Sequence, residues 1–221
     1  QGIMRFAPKD DCIISGVEQA ELLLRKCGLS VSRSAANGQK LQAGQPCLEA
    51  RGTAAALHRG WKLSQALMEY MSGIATRSAQ MVEQARTVNP GVRVAVTRKN
   101  FPGAKAMSLE AAMDGGAIVH RQNLSDSILI FEQHRAFLPG TPQASLRSIA
   151  AMMEKLHTRA PEHKISAEVD SLEQAILVAE AGIDIVQCEK FACELLAETV
   201  GSLRAMRDDI IILAAGGING D

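Results

Sequence analysis

The sequence predicts an α/β protein in which a small α+β domain precedes an α/β barrel. Two observations carry this prediction. In the first part of the chain, short apolar runs are separated by glycine- and proline-containing turns, which is typical of a small domain built on turns. From Val92 onward, short apolar strands alternate with helical stretches, and this alternation favours a parallel sheet. Because no Rossmann fingerprint accompanies so many βα units, we expect a barrel.

The N-terminal region is predicted to contain a strand, a helix and a hairpin. Cys12–Ile14 is a short apolar run typical of a strand. Val17–Cys27 carries apolar residues at helical spacing, and the glycine that follows marks the end of a helix. Asn37-Gly38 stands between two short runs and predicts a hairpin turn.

A long helical stretch is predicted from about Thr53 to about Arg86. Gly73 lies within it and is expected to break or bend the helix, because glycine is a poor helix former. The predicted buried stripe recurs at three- and four-residue steps and comprises Leu57, Trp61, Leu67, Met71, Ile74, Met81 and Ala85.

The remainder of the chain is predicted to form the barrel. Its predicted strands are Val92–Thr97, Ile128–Phe131, Ile165–Val169, Asp184–Cys188 and Ile210–Ala215. Its predicted helices are Ala144–Arg159, Ser171–Ala181 and Phe191–Met206. Ser171 and Gln174 have the spacing of a capping box, which marks the start of a helix.

Composition excludes several classes of function. Lys and Arg number 24, as do Asp and Glu, so the net charge is zero and a general nucleic-acid binder is not expected. Aromatic residues make up only 3%, too few for a base-stacking surface. No apolar run is long enough to span a membrane. The five cysteines form no C-x-x-C pair, which favours buried thiols in a reducing cytoplasm. We therefore expect a soluble, cytoplasmic, globular protein.

Charged residues and glycines stand at or just after the ends of the predicted strands, where α/β barrels place their chemistry. They are Arg98, Lys99, His120, Arg121, Glu168, Glu189, Gly216 and Gly217. Cations facing two carboxylates and a glycine pair suit a phosphorylated anion together with a divalent cation. Each residue also has a structural interpretation: a solvated strand end for the cations, helix capping or ion pairing for the carboxylates, and an ordinary turn for the glycines.

Several of these residues belong to blocks that resemble one family, the quinolinate phosphoribosyltransferases of NAD biosynthesis. The resemblance runs through nearly the whole chain. Its blocks are Ser72–Thr76, Thr97-Arg98-Lys99 with Pro102-Gly103, His120-Arg121 with Leu124–Asp126, and Gly216–Ile218. Within the family, Lys99–Lys105 and Phe131–His134 resemble the ModD branch, a group of pyrophosphorylases associated with molybdenum utilisation.

The resemblance implies a fold and an assembly. It implies an open α/β sandwich over residues 1–76, including the linking helix, and an incomplete, seven-stranded α/β barrel over residues 77–221. We expect the barrel of the family to continue beyond Asp221, so that the given chain is truncated there. The resemblance also implies a homodimer with shared active sites, or a higher oligomer.

The resemblance further implies an activity, which is transfer of phosphoribose from phosphoribosyl pyrophosphate to a heteroaromatic acid with Mg²⁺ and release of pyrophosphate. Lys99 would contact pyrophosphate or phosphoribose. Glu168 and Glu189 would contact ribose hydroxyls and metal-bound water. The implied carboxylate-binding residues are Arg98, His120 and Arg121, and the implied phosphate-binding residues are Ala215, Gly216 and Gly217.

Four positions depart from the pattern of the family. Tyr70 stands in place of an arginine and Phe131 in place of a lysine, both in the substrate pocket. Glu189 replaces an aspartate and Ala215 a serine. A pocket with two fewer cations is expected to suit an acceptor with less charge and more aromatic surface.

Two other functions are compatible with the sequence. The first is a non-catalytic protein that binds an anion or cofactor on the same barrel, which the loss of cations at Tyr70 and Phe131 favours. The second is a different barrel enzyme in which Lys99 forms a Schiff base, with Arg98 lowering the pKa of that lysine.

Overall fold

The computed structural model describes residues 1–137, 148, 153 and 155–219. The chain divides into two compact units, Gln1–Gln122 and Asn123–Asn219. The predicted boundary between domains after residue 76 stays a prediction. Of the predicted helix Ala144–Arg159, residues 155–159 are helical, whereas most of its first half lies outside the described residues.

The first unit contains two antiparallel sheets, a parallel strand pair and three helices. Its elements are β1 (Gly2–Phe6), β2 (Cys12–Ile13), α1 (Val17–Lys26), β3 (Ser30–Arg33), β4 (Lys40–Leu41), β5 (Leu48–Gly52), α2 (Ala54–Val88), β6 (Ala95–Val96), α3 (Lys105–Asp114) and β7 (Ile118–Val119). Strands β1, β5 and β3 form one antiparallel sheet, β2 pairs with β4, and β6 pairs in parallel with β7. Leu24 of α1, Leu41 of β4 and Leu48 of β5 are fully buried in its main core.

The strand predicted at Cys12–Ile14 and the helix predicted at Val17–Cys27 are confirmed, each ending one residue early. The hairpin predicted at Asn37-Gly38 is wrong, since β3 pairs with β5 and β4 pairs with β2. The turn itself is present, with Gly38 at φ 81°. Asn37 Oδ1 accepts a hydrogen bond of 3.0 Å from the backbone N–H of Val17, so this turn holds the start of α1 instead of reversing a hairpin.

Helix α2 is continuous, so of the two predicted alternatives at Gly73 the break is wrong, and the bend stays a prediction. Gly73 is exposed, and a Cβ there would meet open space. The buried face comprises Leu57, Gly60, Ser64, Met68, Met71, Ser72, Ala75, Ser78 and Val82. Glycine at a helix interior costs only about 1 kcal/mol, which packing along this face outweighs.

The predicted stripe on α2 is correct at Leu57 and Met71 but wrong at Trp61, which is 48% exposed. Small residues take much of the buried face because neighbours approach closely. At Gly60, for example, a Cβ would lie 2.8 Å from Cδ2 of Leu24. A pattern based on hydrophobicity does not detect such positions.

The second unit consists of a four-stranded parallel sheet with helices between its strands. Besides the helical residues 155–159, its elements are β8 (Ile128–Ile130), α4 (Glu132–Arg135), β9 (Ile165–Val169), α5 (Leu172–Glu180), β10 (Ile185–Glu189), α6 (Cys193–Met206) and β11 (Ile211–Ala215). The strand order is β11-β10-β9-β8. The buried core includes Ile165, Ala167 and Val169, so alternate residues of β9 are left on the other face.

The predicted strands and helices of this unit are confirmed to within two residues where they are described. The Ser171 hydroxyl accepts a hydrogen bond of 3.3 Å from Gln174 N–H and caps α5 as predicted. In the first unit the predicted strand Val92–Thr97 is reduced to β6, and α3 and β7 were missed. Parallel strands alternating with helices confirm the α/β class. Throughout the described ranges, no helix combines the length and apolar character needed to cross a membrane.

Candidate active site

One edge of the four-stranded sheet brings together most of the predicted site residues of the second unit. Because the strands are parallel, their carboxyl ends meet at this edge. Glu168 lies near the end of β9 and pairs in register with Gln187 of β10. Glu189 ends β10 opposite Ala215, the last residue of β11. The predicted grouping of Glu168, Glu189 and the following glycines therefore agrees with the strand register.

Glu168 is half-buried and surrounded by charge of both signs. Gln187 Nε2 donates a hydrogen bond of 3.0 Å to Glu168 Oε2. Burial raises the pKa of Glu168, the nearby Glu189 carboxylate raises it further, and Arg135 and Lys190 partly oppose both effects. The carboxyl group is therefore more easily protonated than an exposed glutamate.

The two glycines after β11 have a backbone that fits only glycine comfortably. Gly216 and Gly217 have φ values of 77° and 78°, in the left-handed region. A Cβ at Gly216 would lie 2.5 Å from Oε1 of Glu189, so the absence of a side chain lets this carboxylate approach the backbone. Lys190, at φ 57°, donates its backbone N–H to the Ala215 carbonyl at 2.7 Å and ties the two strand ends together.

Three residues at this edge were missed by the sequence analysis. Gln187 is a polar residue within an apolar strand, on the same strand face as Glu189, and that alternation was the available signal. Lys190 directly follows Glu189, a predicted site residue, and this adjacency was the available signal. Arg135 belongs to a four-residue helix that the apolar periodicity does not reveal.

Phe131 follows β8 directly and is half-buried. Its ring centroid lies 5.5 Å from that of His134, and its backbone N–H donates a hydrogen bond of 3.0 Å to His134 Nδ1. The edge therefore presents an aromatic surface here. Contact between Phe131 and a substrate stays a prediction.

The predicted cations of the first unit lie at the corresponding ends of β6 and β7. Arg98 and Lys99 follow β6 and are exposed, whereas His120 and Arg121 follow β7. Because β6 and β7 are parallel, with Val96 beside Val119, all four residues lie at one end of this pair. Their binding roles stay predictions.

His120 is half-buried and Arg121 is 6% exposed. Burial lowers the pKa of His120, and the Arg121 charge lowers it further. Near neutral pH the imidazole is therefore mainly uncharged and can donate one hydrogen bond. Tyr70, the other predicted pocket residue of this unit, is 78% exposed on α2.

The sequence matches the two family models of one enzyme. Residues 1–72 match the N-terminal domain of quinolinate phosphoribosyl transferase, and residues 74–221 match its C-terminal domain. Together the matches take in almost the whole chain.

Individual relatives agree with this match. The chain is 41% identical over 186 residues to "Putative pyrophosphorylase ModD" of Rhodobacter capsulatus, covering 84% of this chain and 70% of that protein. It is 34% identical over 215 residues to a "Probable nicotinate-nucleotide pyrophosphorylase" of Methanothermobacter thermautotrophicus, covering 96% of this chain and 75% of that protein.

Solved structures share the fold. NadC from Streptococcus pyogenes superposes with a TM-score of 0.84 at 23% identity, covering 99% of this chain and 74% of that one. The nicotinate-nucleotide pyrophosphorylase of Francisella tularensis gives a TM-score of 0.85 at 20% identity, covering 98% and 74%. The predicted fold class and family are thus confirmed. The chain belongs to the quinolinate phosphoribosyltransferase family, whose members are pentosyltransferase enzymes.

Proposed function

We propose that this protein transfers phosphoribose from phosphoribosyl pyrophosphate to a heteroaromatic acid and releases pyrophosphate. The observation that carries the proposal is the edge of the four-stranded sheet. There the carboxyl group of Glu168 lies near that of Glu189, and Glu189 adjoins the open backbone of Gly216, which Gly217 follows. Carboxylates suit the ribose, and backbone N–H groups free of a side chain suit its phosphate.

In the proposed reaction a ring nitrogen of the acceptor forms a bond to the anomeric carbon of the ribose. The bond from that carbon to pyrophosphate breaks, and pyrophosphate leaves with the bonding electrons. Positive charge develops on the ribose, which the carboxylates of Glu168 and Glu189 stabilise. Lys99 stabilises the negative charge on the leaving group. No nucleophilic side chain is required, and positioning supplies much of the rate.

The residues present fit Mg²⁺ held mainly through water and substrate. Among the described residues, no three His, Cys, Asp or Glu side chains are grouped for a metal. Mg²⁺ commonly binds through one or two carboxylates together with waters and substrate phosphates, a pattern that Glu168 and Glu189 match. When bound there, the cation would neutralise charge on the pyrophosphate.

The acceptor is proposed to carry less charge than quinolinate. Tyr70 and Phe131 are not cations, and each charged hydrogen bond that is absent weakens anion binding by about 1.5–3 kcal/mol. The resemblance to proteins named ModD supports a role in molybdenum utilisation, which places pterin-like bases among the acceptors to be tested. We also propose a homodimer or higher oligomer in the cytoplasm, and sedimentation analysis of the purified protein checks the oligomeric state.

Pyrophosphate release tests the proposal directly. The protein is mixed with phosphoribosyl pyrophosphate, Mg²⁺ and one acceptor at a time, including quinolinate, nicotinate, other pyridine acids and pterin-like bases. We expect release that depends on one acceptor. We expect Lys99→Ala to abolish it, while the matched control Lys155→Ala, at another exposed lysine, leaves it unchanged.

The same assay distinguishes the first alternative, and a separate trapping experiment distinguishes the second. Binding of phosphoribosyl pyrophosphate without release for any acceptor would favour the non-catalytic binding protein. Borohydride trapping of a carbonyl compound on Lys99 would favour the Schiff-base enzyme. Retained release in Lys99→Ala would contradict the role assigned to that lysine.

A further inference from the structure

Arg135, the last residue of α4, is a buried cation without a complete set of partners. Its side chain belongs to a residue that is only 6% exposed. Within the part of the chain that the structure describes, its Nε has no hydrogen-bond partner. Buried donors are nearly always paired, and an unpaired one on a charged group is costly. The guanidinium can therefore donate a further hydrogen bond to an anionic partner.

The position of Arg135 relates it to the candidate active site. Helix α4 begins immediately after β8, at the carboxyl end of that strand. Strand β8 pairs with β9 so that Ile130 lies beside Ala167, one residue before Glu168. The Arg135 charge is near enough to Glu168 to lower the pKa of that carboxyl group. Arg135 thus lies at the sheet edge that carries the carboxylates.

Glu168 is a poor candidate for the missing partner. One of its oxygens is already engaged by Gln187, and the net effect of its surroundings raises its pKa. A glutamate that was fully paired with a buried guanidinium would shift in the opposite direction. Glu168 therefore leaves the Nε of Arg135 without a partner.

We propose that Arg135 binds an anionic oxygen of the substrate, a carboxylate or a phosphate, at this edge and is a substrate-binding residue. This inference rests on the proposed function and deepens it, because it identifies a cation for substrate recognition in the second unit. A guanidinium presents planar, paired donors, which match the two oxygens of a carboxylate or a phosphate.

Calorimetric titration of the full chain tests this role. The variants are Arg135→Met, which keeps an apolar stem, Arg135→Lys, which keeps the charge, and the matched control Arg159→Met at an exposed arginine. Phosphoribosyl pyrophosphate with Mg²⁺, inorganic pyrophosphate and the carboxylate acceptors quinolinate and nicotinate are titrated separately. Thermal unfolding of each variant is recorded with and without ligand.

We expect Arg135→Met to lower the affinity for at least one ligand by about tenfold or more. The affinity of Arg135→Lys should be intermediate, and that of Arg159→Met should equal the wild-type value. Weakening of a carboxylate acceptor alone assigns Arg135 to the acceptor, and weakening of the phosphate ligands assigns it to phosphoribosyl pyrophosphate. Without ligand, the unfolding midpoint of Arg135→Met should be unchanged or higher, because an incompletely paired buried charge has been removed.

Two outcomes would overturn the inference while leaving the proposed function intact. One is unchanged affinity for every ligand in both Arg135 variants. The other is a lower unfolding midpoint in Arg135→Met and Arg135→Lys with unchanged affinity for the folded fraction, which would indicate a structural role. A wild-type protein that binds none of the ligands would contradict the proposed function itself, and the inference with it.

Discussion

Burial raises the pKa of one carboxyl group in each of two polar clusters of this protein, and the surroundings of these two groups differ. The Asp114 cluster, in the first unit, comprises Ser15, Gln19, Asn37, Glu110 and Asp114. Ser15 Oγ donates a hydrogen bond of 2.6 Å to Asp114 Oδ2. Gln19 Nε2 donates to both carboxylate oxygens of Glu110, at 2.8 and 2.9 Å. Neutral donors of the chain itself thus pair with both carboxyl groups of this cluster and join α3 to α1 and its neighbouring loops. The buried atom of this cluster that has no partner in the described ranges is a neutral acceptor, Gln19 Oε1.

The Glu168 cluster, in the second unit, comprises Arg135, Glu168, Gln187, Glu189 and Lys190. It has one neutral donor, Gln187, and mixes two cations with two carboxylates. The Nε of Arg135 is buried without a partner in the described ranges. The unpaired buried atom is a neutral amide oxygen in the Asp114 cluster but a cationic donor in the Glu168 cluster. We therefore infer that the Asp114 cluster stabilises the fold and that the Glu168 cluster, as proposed above, binds an anionic ligand. Substitutions in the two clusters should therefore separate stability from activity.

Of the substitutions that compare the two clusters, Glu168→Gln, which keeps the size of the side chain and removes its charge, is expected to have the largest effect. We expect kcat for pyrophosphate release to fall about 10²–10³-fold, the usual cost of losing one electrostatic stabiliser of the transition state. The unfolding midpoint near neutral pH should stay the same or rise. If Glu168→Gln loses activity only in proportion to the fraction of protein that is unfolded, the proposed difference between the two clusters is wrong.

The same variant gives a test based on pH. The pKa of Glu168 in the folded protein is raised above its ordinary value of 4.5, so ionising it destabilises the fold. This destabilisation is complete above the raised pKa and disappears as the pH falls below 4.5. Any advantage in unfolding midpoint of Glu168→Gln over the wild type should therefore shrink as the pH is lowered, and an advantage that grows would be inconsistent with the raised pKa.

Gly216→Ala is expected to have the next largest effect. The new Cβ would lie 2.5 Å from the Glu189 carboxylate, at a backbone φ that alanine adopts poorly. We expect kcat/KM for phosphoribosyl pyrophosphate to fall about tenfold or more, because a misplaced catalytic group is costly. Gly182→Ala is the matched control, since Gly182 also has a positive φ but has open space around its Cβ position. Equal losses in both variants would assign the effect to backbone strain alone.

Ser15→Ala should act on stability and leave the kinetics of the folded enzyme unchanged. It removes the hydroxyl that donates to Asp114, in a residue that is fully buried. Leaving such a carboxyl group without its donor costs about 1–3 kcal/mol in the free energy of unfolding. Urea denaturation measures that loss, and a reduced kcat at full folding would show that the Asp114 cluster also serves the site.

The smallest effect is expected for the double variant Tyr70→Arg with Phe131→Lys. Adding two cations should favour a dicarboxylate, so affinity for quinolinate should rise about tenfold, or about 1.4 kcal/mol. Titration of quinolinate and nicotinate compares the two acids. If the double variant binds quinolinate no better than the wild type does, the account of these two departures is wrong.

The sequence predicted the second unit more accurately than the first for a physical reason. Strands β9, β10 and β11 are short runs rich in apolar residues, and such runs mark buried parallel strands. The break at Gly73 was predicted from a local preference that packing along α2 overrides. Arg135 was missed because its role depends on burial and on a missing partner, and neither property can be deduced from the spacing of residues.

The length of helix α2 has a consequence for how the first unit unfolds. At about 1.5 Å per residue, its 35 residues extend for roughly 50 Å. Leu57 and Met68 belong to the core around β1, β3 and β5, whereas Val82 belongs to a second core with Ala112 and Ala117. Both cores pack against the same continuous helix. If one core unfolds, the part of α2 that packs in it loses its contacts, and the helix that packs in the other core becomes shorter. Amide hydrogens in the middle of α2 should therefore exchange with solvent only through opening of the whole unit, and they should be among its slowest.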